Sequence, residues 1–399
     1  MKEISERVKN IQGSVTVEID LLAKKLSMQG RSIWSFGVGE PNFDTPLHIR
    51  EAAIQSINKG LTRYTAPDGM LPFKEAVCGK LLHENSLRYK AEQVIATSGA
   101  KHAIFNAISV LVNEGDEVLI PSPYWVTYPE LVRYCGAKPI FLECSSENKF
   151  RLKAEQIRAA ITPKTKALIL NSPCNPTGVV YSSQELAEFA QVIVENDLYC
   201  ISDEIYEHII YDGVSGAPSI AAASGMQERT LLVNGFSKAY CMTGWRIGYV
   251  VAPDEVAKNI AKMQGQTTHH PSNVSQYGAI AALNGRFDSV ITMRKEFFER
   301  MNRMFEVLNS IEGVSVSKPN GAFYLFADVS AAYGKTSAGG SVINNSIDFC
   351  RALLDEQGVV IVPGAAFGLD SCVRFSFTAS LPTISIAMPK VKEFFKGLS

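Results

Sequence analysis

The stretch TLLVNGFSKAYCMTGWRIGYVV, residues 230–251, holds two apolar runs, TLLVN at its start and IGYVV at its end. Both are short, rich in Val, Leu and Ile, and bounded by Asn, Gly and Ser, which reads as two buried strands rather than one helix. Between them stands a single lysine, Lys238, among Phe236, Tyr240 and Met242, with Arg246 further along the same segment. Burying an ammonium without compensation costs several kcal/mol. Such a lysine needs a chemical reason, and the arginine needs an anion.

Five more runs precede these two: VIAT (94–97), EVLI (117–120), KPIF (138–141), ALIL (167–170) and LYCIS (198–202). Helix-like stretches separate them, such as SSQELAEFAQVIVEN, which opens on a capping box of Ser182 and Glu185. Alternation of this kind predicts an α/β fold whose mostly parallel seven-stranded sheet is covered by helices on both faces. After Pro271 the texture changes. A long helix is expected over 287–308, then mixed elements including AFYLFADV and CVRFSFT. These predict a smaller α+β domain completed by the N-terminal segment, with boundaries at 46–290 for the large domain and 1–45 together with 291–399 for the small one. The Gly/Ser-rich SAAYGKTSAGGSVINNS (330–346) reads as a mobile surface loop.

The chain has 399 residues, enough for two hydrophobic cores, and a formal net charge of −1. Nothing in that balance steers it toward nucleic acid or an anionic membrane. The N-terminal MKEISERVKN lacks the apolar core of a secretory signal, and no apolar run is long enough for a membrane span. The eight cysteines show no CxxC spacing and read mostly as buried thiols. His269 and His270, being sequence neighbours, would face opposite sides of a strand and make a poor metal pair, so no metal is expected. The cytoplasm is the expected address.

In open α/β sheets, ligands sit beyond the carboxyl ends of the strands. That rule singles out Ser98–Lys101, Ser122–Trp125, Asn171–Gly178, Asp203–Glu204 and Asn234–Lys238. A lysine at such an end, in partly apolar surroundings, has its pKa lowered and can attack an aldehyde to form a Schiff base. The alternative is a lysine whose stem packs on aromatics while its head reaches water. Ser237 and Arg246 suit a phosphate, which needs fixed donors around several oxygens. TSGAKHAIFN offers a second half, in which a glycine turn leads into a helix N-terminus near Lys101. No GxxxxGK[ST] is present, and GVGEPNF lacks the third glycine of a dinucleotide fingerprint. A small phosphorylated aldehyde held by lysine, pyridoxal phosphate, is the better candidate. It demands an acid to hold its pyridine nitrogen protonated. Asp203 stands where that acid should, although an Asp at a strand end can equally cap a turn. Tyr206 and Asn175 could bond the ring's phenolic oxygen, and Trp125 could stack on its face or merely pack in the core. NSPCNPTG, with two X-Pro bonds, marks a rigid turn.

SDEIYEHIIY, NSPCNPTG and NGFSKAYCMTGWRIGY resemble, in order and spacing, the class I pyridoxal-phosphate-dependent aminotransferases, and among them the bacterial aspartate aminotransferase subgroup Iβ. The resemblance extends from about Ser5 to the C-terminus through GEPNFDTP, TRYTAPDG, SPYWVTYPE, GAFYLF, VPGAAFG and VRFSFT. It implies a fold-type I homodimer with shared active sites. Lys238 would bond the cofactor and then act as general acid and base, Asp203 would pair with the pyridinium, and Asn175 and Tyr206 would bind the phenolic oxygen. Ser237, Arg246 and the turn Gly99–Ala100–Lys101 would hold the phosphate, joined by Tyr64 of the other subunit, with Trp125 stacked on the ring. Arg374 would grip the substrate α-carboxylate, helped by Gly39 and Asn175. Lys101, with Thr16 nearby, would receive a second carboxylate, and Gln12 offers no further cation. The implied reaction is L-aspartate plus 2-oxoglutarate to oxaloacetate plus L-glutamate. The same scaffold hosts aminotransferases for aromatic amino acids or prephenate and C–S lyases. A non-catalytic regulator would be expected to lack Lys238 or Asp203.

Overall fold

A computed structural model of the chain describes residues 3–11, 13, 15–211 and 216–399, the side chains of 15, 16 and 20 excepted. Seven strands form the main sheet: β1 (Val94–Thr97), β2 (Glu117–Ser122), β3 (Lys138–Glu143), β4 (Thr165–Asn171), β5 (Tyr199–Asp203), β6 (Thr230–Gly235) and β7 (Gly248–Val251). Each apolar run of the sequence lies on one of them. Their order is β1-β7-β6-β5-β4-β2-β3. Neighbours are parallel except at β7, which runs antiparallel to both β1 and β6.

The exception positions the lysine. A parallel return to the sheet needs a long crossover, usually helical. The segment after β6 has only one short 3-10 turn, Thr243–Trp245. It therefore re-enters the adjacent strand directly, with Gly235 opposite Gly248. Residues 236–247 are left as a loop beyond the carboxyl end of β6, and Lys238 and Arg246 ride on it.

The helix Ala100–Leu111 buries Ala103, Ile104, Ala107, Ile108 and Leu111 on one side. That stripe packs against Ile95, Val118, Ile169 and Leu231 of the sheet. The opposite sheet face meets Phe73, Val77 and Leu81 of the helix Leu71–Asn85. Each fully buried aliphatic or aromatic side chain stabilises the fold by about 1.5–3 kcal/mol. The helix Ser183–Glu195 starts as its sequence predicts, with Glu185 N–H donating to Ser182 Oγ at 3.3 Å and Ser182 N–H to Glu185 Oε2 at 2.9 Å.

A second, antiparallel sheet has strands β8 (Ser315–Val316), β9 (Tyr324–Asp328), β10 (Val362–Pro363) and β11 (Cys372–Ser376), in the order β10-β11-β9-β8. The N-terminal segment joins this half of the molecule. Trp34–Ser35 pairs in parallel with Val359–Val360, and Ser376 N–H donates to Phe36 O at 2.8 Å. The helix Asp288–Asn309 lies close to its expected bounds and buries Phe297, Met301 and Met304.

Two details differ from the sequence reading. Residues 330–346 are tied down rather than looped out. Ile343 N–H donates to Lys335 O at 2.9 Å, Thr336 and Ser399 exchange backbone bonds, and Ile343 is wholly buried. Ala332 and Ile343, both buried, help anchor this largely polar tract, and composition alone hides that. His269 and His270 lie in irregular backbone after the helix Asp254–Gln266, not in a strand, with rings 5.2 Å apart. Among the described residues, no helix is long and apolar enough to cross a membrane.

Candidate active site

Between the two sheets lies a cavity of about 970 Å³, lined by strand-end residues of the large sheet and by Tyr324, Val362 and Arg374 of the small one. That volume is at the upper end for small-molecule sites.

Asp203 closes β5 with its side chain buried. Its Oδ2 accepts from Tyr128 Oη at 2.6 Å and its Oδ1 from Ile205 N–H at 3.2 Å. Burial pushes its pKa up to about 6, against the pull of those two donors and of Lys238. Tyr206, on the turn that follows, shares a hydrogen bond of 2.8 Å with Tyr324 Oη. Asn175 is fixed by its own N–H, which donates to Asn171 Oδ1 at 2.8 Å. The Ser172–Pro173 and Asn175–Pro176 bonds beside it are cis.

Lys238 donates from Nζ to Gly39 O at 2.6 Å. Burial pushes its pKa down to about 8; the Glu40 carboxylate pulls the other way, and the guanidinium groups of Arg374 and Arg246 add to the fall. Glu40 in turn accepts from the Thr243 hydroxyl. Gly39 tolerates no side chain, since a Cβ there would stand 2.2 Å from Tyr324 Oη.

Arg246 spans the loop and the first strand. Its Nη1 donates to Thr243 O at 2.8 Å, and Nη2 lies 3.5 Å from Ser98 O. The guanidinium rests on Gly99, whose φ is +85° and whose missing Cβ would meet Nη2 at 2.6 Å. Only glycine fits both that dihedral and that contact. Ala100 begins the helix, so its first-turn N–H groups point out of the helix end, and Ser237 borders the same cavity. Lys101 places Nζ 5.0 Å from the centre of the Trp125 ring, and burial, then Arg246, lowers its pKa.

Arg374 belongs to β11, where the alternation of a strand buries Val373 and Phe375 on one face and turns Arg374 to the other. It donates from Nη1 to Asn175 Oδ1 at 2.8 Å and from Nη2 to Gly37 O at 2.7 Å. Its guanidinium lies 4.3 Å from the Tyr324 ring centre and 4.8 Å from that of Phe367. Its Nε is buried without a partner.

Gly39, Ala100, Lys101, Trp125, Asn175, Asp203, Tyr206, Ser237, Lys238, Arg246 and Arg374 thus border one cavity, with Gly99 beneath the guanidinium of Arg246. Tyr64 does not join them. Its side chain is 89% exposed and packs on His269 and His270, at 5.5 and 5.9 Å between ring centres. The side chain of Thr16 and the whole of Gln12 lie outside the described residues. Two tyrosines escaped the sequence reading. Tyr128 holds Asp203 and Tyr324 holds Tyr206, and the only signal for either was its place in SPYWVTYPE or GAFYLF.

The donor set fits pyridoxal phosphate. A buried acid, a lysine of lowered pKa and a glycine cradle under an arginine meet the three demands of a protonated pyridine, an aldehyde and a phosphate. A profile of "Aminotransferase class I and II" matches residues 31–387. The chain is 42% identical to an aspartate aminotransferase of Bacillus sp. (strain YM-2), over 99% of this chain and all of that one. It is 41% identical to an aspartate/prephenate aminotransferase of Cereibacter sphaeroides, over the whole of both. Among solved structures, the aspartate aminotransferase of Rhizobium meliloti superposes with a TM-score of 0.96 at 38% identity, over the whole of both chains. That of Thermus thermophilus with maleate gives 0.92 at 37% identity, over 99% of this chain and all of that one. The chain therefore belongs to the class I and II aminotransferases, and its cofactor is pyridoxal 5'-phosphate.

Proposed function

We propose that this enzyme is an aspartate aminotransferase, moving the amino group of L-aspartate to 2-oxoglutarate and releasing oxaloacetate and L-glutamate in two half-reactions. The observation that carries the reading is a cavity bordered by Lys238, Asp203, Arg374 and Lys101 together. It contains a proton carrier, a ring acid and separate cations for two carboxylates.

Pyridoxal phosphate supplies an aldehyde that captures amines and a pyridine ring that withdraws electrons from the captured amino acid. Asp203 would hold the proton at the ring nitrogen, its carboxylate kept oriented by the hydrogen bond from Tyr128. Tyr206 and Asn175 would bind the ring oxygen, and Trp125 would stack on the ring. Ser237, Arg246 and Gly99–Ala100–Lys101 would hold the phosphate. Lys238 Nζ, its pKa lowered to about 8 by burial, would take the proton from the substrate α-carbon and hold it for return, serving as general base and then general acid. Arg374, fixed by Gly37 and Asn175, receives the α-carboxylate, with Gly39 and Asn175 beside it. Lys101 receives the second carboxylate.

The exposed apolar residues Leu47, Ile54, Ile57 and Leu71, near Tyr64 in sequence, support a homodimer in which Tyr64 reaches the neighbour's phosphate. The sheets support a large unit of 46–290 and a small one of 1–45 with 291–399, the helix Asp288–Asn309 crossing the second boundary. The proposed compartment is the cytoplasm. A second reading, acceptance of prephenate, rests on the likeness to the Cereibacter aspartate/prephenate aminotransferase.

The test is a half-reaction of cofactor-loaded protein, without keto acid, followed by loss of the bound cofactor's visible absorption. Fast loss with L-aspartate and slow loss with L-phenylalanine is expected. The reverse preference would overturn the dicarboxylate assignment.

A further inference from the structure

Outside the cavity lining, Glu207 lies one residue beyond Tyr206, paired with Lys80. The two side chains are each only 3% exposed. Lys80 Nζ donates to both carboxylate oxygens, at 2.6 and 2.5 Å. Asn85 Nδ2 donates to Oε1 at 2.8 Å, and Asn234 Nδ2 to Oε2 at 2.7 Å. Asn234 then accepts, through Oδ1, the N–H of Gly235 at 2.7 Å. Both carboxylate oxygens are thus doubly occupied, and the amide of Asn234 is held at both ends. Lys80 is further steadied by Asn85 Oδ1 at 2.9 Å and lies 3.6 Å from Glu84, which also bonds His208.

A buried ion pair seldom adds net stability over a well-packed apolar pair, so stability is a poor reason for this one. Its connections point elsewhere. Glu207 sits on the turn that follows β5, the strand Asp203 closes, and that turn also carries Tyr206. Asn234 is the penultimate residue of β6, the strand that leads into Ser237 and Lys238. Lys80 and Asn85 belong to the helix Leu71–Asn85 on the far side. We infer that Glu207, clamped by Lys80 and Asn85, is a positioning residue that sets the Asp203–Tyr206 turn against the Asn234–Lys238 loop. It touches neither substrate nor cofactor and acts through Asn234. This inference rests on the roles proposed above for Asp203 and Lys238.

Asn234→Ala cuts the link to the lysine loop while leaving the ion pair whole, so it is the gentler variant. Glu207→Gln keeps the shape but turns an amide NH₂ toward a set of donors. Three quantities are measured on each: pyridoxal phosphate dissociation by equilibrium dialysis, the pH midpoint of the bound cofactor's visible absorption, and thermal unfolding of the cofactor-free protein. For Asn234→Ala, about tenfold weaker cofactor binding is expected, the scale of losing an outer group that orients a site. The midpoint should move by about half a pH unit or more as the environment of Nζ changes. Lys80→Arg, which retains charge and donors, should stay near wild type in both. Unchanged binding and midpoint in Asn234→Ala and Glu207→Gln, with only unfolding affected, would overturn the inference and leave a structural pair. Wild-type protein that binds no pyridoxal phosphate would overturn this inference and the functional reading together.

Discussion

Lys238 donates its Nζ proton to the carbonyl oxygen of Gly39 at 2.6 Å, a bond that joins the loop after β6 to the N-terminal segment. The contact is to a neutral acceptor, so it does not oppose loss of the ammonium's charge as a carboxylate partner would. With burial lowering the pKa to about 8, the amine becomes neutral as pH rises through that value.

Capture of the cofactor should therefore follow the neutral amine. When apoenzyme is mixed with pyridoxal phosphate, the bimolecular rate is expected to rise through about pH 8 and then level off. A rate still climbing toward pH 10 would show an unperturbed lysine. Lys238→Ala should lose transamination altogether.

Asp203 makes a prediction about stability. Its folded pKa, about 6, is raised above the unfolded value of 3.8. A raised value contributes stability that is complete below the unfolded pKa and lost as pH climbs through the folded one. Asp203→Asn should therefore unfold like the wild-type apoenzyme near pH 4. Above pH 6 it should be the more stable, by up to about 3 kcal/mol. With cofactor present the order should reverse, because the variant cannot balance the pyridinium. Denaturant unfolding of both forms across pH checks this.

Arg374→Lys would leave Asn175 Oδ1 or Gly37 O without a donor and end the planar fit between Tyr324 and Phe367. Loss of one charged hydrogen bond to the substrate, about 1.5–3 kcal/mol, predicts a kcat/KM for aspartate roughly ten- to a hundredfold lower. Steady-state kinetics with aspartate and 2-oxoglutarate measures it.

Lys101→Met should separate substrates by charge. Its ammonium lies over Trp125, inside the cavity. The variant is expected to lose about tenfold or more in kcat/KM for aspartate, the scale of one unpaired carboxylate, while phenylalanine is spared. Equal losses for both would instead assign Lys101 to the cofactor.

Tyr64 tests the shared site. It is exposed and stands apart from the cavity of its own chain. Tyr64→Ala and Lys238→Ala homodimers should be impaired and inactive respectively. A hybrid dimer of the two contains one intact site, so it should recover about half of wild-type activity. No recovery would show that Tyr64 serves its own subunit.

Much of this architecture is legible in the chain. Runs such as VIAT at 94–97 are so uniformly apolar because strands covered on both faces have no solvent side to encode. Lys238, Asp203 and Asn175 could be singled out because ligand-facing residues follow such runs. Tyr128 and Tyr324 were missed because a tyrosine with a buried hydroxyl looks, in sequence, like any core aromatic. The tract 330–346 is misread from composition because a few buried side chains, Ala332 and Ile343 among them, outweigh its polar character.

The order of strands and loops, and the chemical kind of each strand-end residue, were set by local pattern: apolar periodicity, turn residues and caps act over a few positions. Which groups meet was decided only in three dimensions. The bonds from Arg374 to Asn175 and from Lys238 to Gly39 cross long stretches of chain, and depend on how two sheets pack. The raised pKa of Asp203 and the lowered pKa of Lys238 have the same origin, because burial is a property of the assembled core and not of any residue's neighbours in sequence.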